Sequence, residues 1–206
     1  MPESVWPAIH AERAALAADL DGLQESQWAT PSLCAGWTVH QVLAHQVATA
    51  KLTPGRFLTK FAGSGFSFTT FADKAVAVEA AAGPAATLAE FRRVQTATTS
   101  PPGPKDSWLG EALVHSEDIR RPLGIKRSYP LPWVTRAIGF YAGSNAIIGA
   151  KKRVQGITLK ATDTGDARGS GPVAEGPAMS LLMAMCGRKA ALDDLTGPGV
   201  DVLRSR

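Results

Sequence analysis

Thr38-Val39-His40-Gln41-Val42-Leu43-Ala44-His45-Gln46-Val47 reads as a helix with its own start signal. Thr38 and Gln41 stand three apart, the spacing of a capping box: the threonine oxygen accepts an amide proton one turn on, and the glutamine reaches back. Behind the cap, Val39, Val42, Leu43 and Val47 recur at helical spacing and form one apolar stripe. His45 flanks that stripe, so it stands near the core of whatever the helix packs against. Upstream, Ala29-Thr30-Pro31-Ser32-Leu33-Cys34-Ala35-Gly36 is a loop punctuated by proline and glycine. Downstream the helix is expected to reach about Thr53, where Pro54-Gly55 interrupts or kinks it.

Other stretches carry the same 3.6-residue period. In residues 3–22, Val5, Ile9, Leu16, Leu20 and Leu23 make a stripe, with Glu12, Arg13 and Asp19 off it. Short helices are expected over 72–82 and, after Gly83-Pro84, around Leu88, Phe91 and Val94; Pro101-Pro102-Gly103-Pro104 is a linker. A third major helix covers about 107–123, with Gly124 as a stop signal. A fourth covers about 132–153, with Trp133, Ala137, Phe140, Tyr141, Ile147 and Ile148 as its apolar content. The period then changes. Ile157-Thr158-Leu159-Lys160-Ala161-Thr162 alternates apolar and polar, as a strand with one buried face does. Residues 163–171 are glycine-rich turn, Val173-Ala174-Glu175 a return strand, and Pro177–Cys186 a short buried helix. The expected architecture is mainly α: a four-helix bundle over residues 1–153, then a small C-terminal α/β segment over 154–206.

Composition bounds the function. The chain has 206 residues, 45% hydrophobic and 19% charged, which is globular and not disordered. Its 22 basic and 18 acidic residues give a net charge of +4, but the basic residues are scattered, where nucleic-acid binders cluster them in a stripe. No apolar run approaches the ~18 residues of a membrane span. Met1-Pro2-Glu3-Ser4 lacks the start of a signal peptide. Two distant cysteines, Cys34 and Cys186, build no disulfide framework, so a cytoplasmic protein is expected.

Four histidines are available for chemistry: His10, His40, His45 and His115. Glu111 and His115 are four apart on the third helix, so their side chains lie over one another and both can reach one metal. The other reading is a partly buried ion pair. Asp118, three beyond His115, could hold its imidazole tautomer or serve as a weak catalytic base. A histidine from the second helix added to this pair makes three ligands and leaves the coordination sphere open, the form of a catalytic site. His45 suits that role; His40 sits well round the helix, and no spacing supports His10. Two imidazoles and a carboxylate suit zinc. Cys34, just before the capped helix, is a lowered-pKa thiol or, in the plainer reading, a packing residue beside Trp37. Arg120 and Arg121 follow the third helix and could bind carboxylates or lie solvated on the surface. No nucleophile elbow, Walker loop or dinucleotide fingerprint is present, and Gly169-Ser170-Gly171 lacks the strand and helix that a phosphate cradle needs.

Pro31-Ser32-Leu33-Cys34-Ala35-Gly36-Trp37-Thr38-Val39, followed by Val42-Leu43-Ala44-His45, resembles the motif of the mycothiol-dependent maleylpyruvate isomerase family, one of the DinB-like metal-binding bundles. Gly110-Glu111-Ala112-Leu113-Val114-His115 with Asp118 resembles its second motif. Ala161-Thr162-Asp163, Gly176-Pro177-Ala178 and the run from Gly187 to Leu192 resemble its C-terminal segment. Residues 55–105 match least. The resemblance implies a DinB-like four-helix bundle holding one divalent metal, usually zinc, on His45, Glu111 and His115. It also implies mycothiol as co-substrate in isomerisation or S-transfer on a small electrophile. The expected partners are a small-molecule substrate and a low-molecular-weight thiol, with no nucleic acid and no membrane; a homodimer is compatible. The alternative is a non-catalytic metal- or ligand-binding protein of the same fold.

Overall fold

The computed structural model describes residues 3–145 and 148–206. The cap on the second major helix forms as its spacing requires. The Gln41 amide donates to Thr38 Oγ1 at 3.3 Å, and the Thr38 amide donates to Gln41 Oε1 at 2.9 Å. In chain order the helices are α1 (Trp6–Asp19), α2 (Glu25–Trp28), α3 (Val39–Ala50), α4 (Pro54–Ala62), α5 (Phe68–Ala80), α6 (Pro84–Val94) and α7 (Asp106–Arg120). Then come α8 (Leu131–Gly143) and α9 (Ala150–Val154), the strands β1 (Thr158–Ala161), β2 (Ala167–Gly169) and β3 (Val173–Gly176), α10 (Ala178–Met185), a 3-10 turn (Lys189–Asp194) and α11 (Gly199–Arg204). The chain is mainly helical, with one small sheet near its C-terminus.

The chain divides into two compact units, Met1–Arg127 and Ser128–Arg206. In the first, α3 is central: it packs against α5, α6 and α7, while α1 packs against α7 and α6. Leu16, Leu20, Val42, Leu43, Phe91 and Ile119 are fully buried in one cluster. Each such side chain contributes about 1.5–3 kcal/mol by leaving water. Pro54 starts a new helix, α4, with Thr53 as its cap, so the expected interruption is a cap-to-cap junction.

Two sequence expectations change here. Glu12 and Arg13, read as lying off the buried stripe, are 4% and 5% exposed. The second unit begins at Ser128, where the sequence reading drew the boundary after residue 153. The physical reason lies in α10, whose residues Ala178–Met185 are all buried. A helix apolar all round needs cover on more than one side. The sheet covers one side, and α8 with α9 covers another. The segment expected as one helix is thus α8 and α9, separated by residues of which 146–147, including Ile147, lie outside the described residues.

The sheet has the order β2-β1-β3, with β1 antiparallel to β2 and parallel to β3. The hairpin return is therefore β2, inside the stretch whose glycines and aspartates read as turn, and its three residues are exposed. β3 lies on the other edge of β1. To reach it the chain crosses the start of β1 at close range. A Cβ on Gly169 would stand 2.2 Å from the Ile157 carbonyl oxygen, and one on Gly171 2.2 Å from that of Gly156. Both have positive φ, 96° and 121°. The glycines that could be mistaken for a phosphate loop are there for backbone approach.

Candidate metal centre

From Leu109 to Arg120 every residue of α7 is buried except Glu111 and His115. On α3, the buried run from Val42 to Ala50 is likewise broken only at His45 and Ala48. The packing of α3 on α7 brings these breaks together. His45 Nε2 lies 3.7 Å from Glu111 Oε1, and the His45 and His115 rings meet edge to face with centroids 4.9 Å apart. The side chains of His45, Glu111 and His115 are 16%, 16% and 13% exposed, enough for a small ligand to reach and too little for free hydration.

His115 Nδ1 stands 2.9 Å from Asp118 Oδ2, and Asp118 is fully buried. An ionised carboxylate only accepts, so Nδ1 donates and Nε2 keeps its lone pair for a ligand. This is the orienting arrangement expected from the three-residue spacing. The Glu111 carboxyl is pushed above its ordinary value of 4.5. Burial is the main cause; His115, Thr49 and the Arg13 guanidinium pull the other way.

The other histidines stand elsewhere. His40 Nε2 is 2.9 Å from Thr87 Oγ1, its ring meets Trp28 edge to face, and burial lowers its pKa. His10 stacks on Trp6. Arg120 and Arg121 do not serve as carboxylate receptors: Arg120 is 0% exposed and held by Glu12 and Asp19, and Arg121 pairs with Glu117 at 2.6 Å.

Cys34 packs, with Trp37, against the α1–α3–α6 core. Its position also has a feature the sequence reading missed. Among the described residues, the donor atoms of Cys34, His115 and Asp118 lie within 4.8 Å of one another. The loop geometry explains it. The Trp37 amide donates to the Cys34 carbonyl, closing a turn whose third residue, Gly36, has φ of 83°. Ser32 Oγ accepts from the Cys34 amide and donates to the Trp37 carbonyl. The Leu33 amide donates to the Asp118 carbonyl at 3.1 Å, which fixes the loop to α7. Trp37 itself lies 5.0 Å from the His45 ring and donates from Nε1 to Asp73.

By type, two imidazoles and a carboxylate are donors that suit a divalent metal. Fold and donors together describe a class, helical bundles with a histidine–glutamate–histidine cluster on two packed helices. Within that class, residues 9–108 match the family model of the mycothiol maleylpyruvate isomerase N-terminal domain. His45 lies inside the matched stretch; Glu111 and His115 follow just beyond it. Two solved structures are similar. One is a crystal structure of the mycothiol-dependent maleylpyruvate isomerase, at 16% identity and a TM-score of 0.64. The other is a histidine-to-alanine mutant of that isomerase, at 15% identity and a TM-score of 0.63. Each comparison covers 94% of this chain and 91% of the other. At that identity the likeness is one of fold. No curated protein matches the chain. Among the described residues, no helix is long and apolar enough to cross a membrane.

Proposed function

We propose that this chain is a divalent-metal protein that uses a low-molecular-weight thiol, mycothiol, as co-substrate in isomerisation of, or S-transfer to, a small electrophile. The observation that carries the reading is the meeting of His45 with Glu111 and His115 at the breaks in two otherwise buried helical faces. The family-model match over residues 9–108 supports the thiol.

His45, Glu111 and His115 would hold the metal, zinc by the chemistry of the donors. Zinc at an open coordination site supplies a lowered thiol pKa and so a thiolate near neutral pH. The protein's own part is positional. Asp118 holds His115 Nδ1 and keeps Nε2 available. Thr49 and Arg13 stabilise the charged form of Glu111. Trp37 closes one side of the His45 ring and limits water there. A cytoplasmic location suits a reduced thiol co-substrate, and neither cysteine is in a disulfide.

The test is consumption of small electrophiles by zinc-loaded protein with and without mycothiol. Turnover that requires the thiol supports the proposal. Metal binding with no thiol-dependent turnover across the electrophile panel would favour a metal- or ligand-binding protein without catalysis.

A further inference from the structure

The loop that precedes α3 brings two side chains to the histidine cluster from one tight turn. Trp37 lies 5.0 Å from the His45 ring. Cys34, whose carbonyl accepts from the Trp37 amide at 3.1 Å, stands beside His115 at the other end of that turn. The donor atoms of Cys34, His115 and Asp118 lie within 4.8 Å of one another. The three differ in what they have left to offer a metal. Asp118 is fully buried and its Oδ2 is spent on His115 Nδ1 at 2.9 Å. His115 keeps Nε2, already counted with His45 and Glu111. The Cys34 sulfur belongs neither to that set nor to the bond that orients it, and Cys34 is only partly buried.

Two physical requirements favour the sulfur as a ligand. The first is charge. His45, Glu111 and His115 are 13–16% exposed, and a cation held among them needs its charge matched. Two neutral imidazoles and one carboxylate leave a divalent ion one positive charge in excess, which one thiolate cancels. The second is distance. Neighbouring nitrogen and sulfur donors on tetrahedral zinc stand about 3.5 Å apart. A sulfur within 4.8 Å of a His115 nitrogen reaches that spacing by a shift of side-chain size.

We infer that Cys34 is the fourth ligand of the metal in the resting protein, and the ligand that an incoming thiol displaces. The inference rests on the proposed function for the metal and for the incoming thiol. The exchange needs no oxidant. The bond from the metal to the Cys34 sulfur breaks, a bond to the incoming sulfur forms, and the proton of the incoming thiol ends on Cys34. Until that exchange the metal is closed by four protein donors, as structural zinc is, and opens only to a thiol. An internal ligand competes at an effective concentration in the millimolar range, so it sets a threshold for the thiol.

The test is the absorption spectrum of cobalt-substituted protein with no thiol added, followed by calorimetric titration with mycothiol. Wild type should show a thiolate-to-cobalt charge-transfer band that Cys34→Ser lacks. Mycothiol should bind cobalt-loaded Cys34→Ser at least tenfold more tightly than cobalt-loaded wild type. Zinc should also slow alkylation of Cys34 by iodoacetamide in wild type and not in His45→Ala, read by peptide mass spectrometry. A Cys34 that only packs against the core would change the melting temperature and none of these readouts. Cobalt bound by the wild type without the band would overturn the inference and leave the proposed function standing. Equal mycothiol affinity in wild type and Cys34→Ser would overturn it too, by showing that nothing is displaced. The band in wild type with no mycothiol binding to Cys34→Ser would refute the proposed function instead, with Cys34 still a ligand.

Discussion

His45→Ala and His115→Ala should each abolish stoichiometric zinc binding, whereas His40→Ala and His10→Ala should retain it, as read by metal analysis of dialysed protein. The two retained histidines are engaged with Thr87 and Trp6, away from the cluster. Asp118→Asn should weaken affinity by roughly 10–100-fold, since it loosens the ring and removes no ligand. Glu111→Gln separates ligand loss from misfolding. In the metal-free protein the Glu111 carboxyl is raised above 4.5 chiefly by burial. A raised folded pKa means that protonation favours the folded state. The contribution is fully present below the unfolded value and is lost as pH rises through the folded one. Metal-free wild type should therefore lose stability as pH rises through that window, and metal-free Glu111→Gln should not. At neutral pH the variant should melt at or above the wild-type temperature while binding no zinc. A lower melting temperature for metal-free Glu111→Gln would mean that the carboxylate is a structural partner.

The second large effect concerns Arg120. It is fully buried between α1 and α7, paired with Glu12 and, at 2.7 Å, with Asp19. Glu12 is itself 4% exposed, with its carboxyl pushed up by burial and held down by Arg120. Removing one member of a buried pair strands the other, at a cost of about 3–5 kcal/mol. For a chain of this size that corresponds to a fall in Tm of about 6–20 °C. Arg120→Ala should show that loss in thermal melts. Arg120→Met/Glu12→Met should recover most of it, because no uncompensated charge remains in the core. If Arg120→Ala melts within about 1 kcal/mol of wild type, the pair is solvated and α1 is held to α7 by apolar packing alone.

These two sites differ in how far the sequence discloses them. Helix α3 was legible because its start is a local chemical pattern, Thr38 with Gln41, and its stripe is one-dimensional. Glu111, His115 and Asp118 were legible for the same reason, since spacings of three and four put them on one flank. Pairing that flank with His45 needed the resemblance to a known motif, because nothing local says which face of α3 meets α7. The burial of Arg120 was hidden: its partners stand 108 and 101 residues away, and a charge at the end of a helix ordinarily reads as solvated. Cys34 was hidden likewise. Its place near His115 depends on the backbone bond from Leu33 to Asp118, a tertiary contact with no periodicity. The unit boundary was drawn later in sequence than the structure draws it because the need of α10 for cover by α8 is a packing fact, visible only once α10 is seen to be buried all round.

The central claim is that the His45–Glu111–His115 cluster presents an open metal position to an exogenous thiol. The most direct measurement is the absorption spectrum of cobalt-substituted Cys34→Ser protein titrated with mycothiol at pH 7. The substitution is needed because Cys34 lies close enough to His115 to supply a thiolate of its own. A thiolate-to-cobalt charge-transfer band should rise with mycothiol and saturate at millimolar concentration or below. The band should be absent in Cys34→Ser/His45→Ala. A cobalt spectrum that mycothiol leaves unchanged, or a band that appears only when Cys34 is present, would contradict the account.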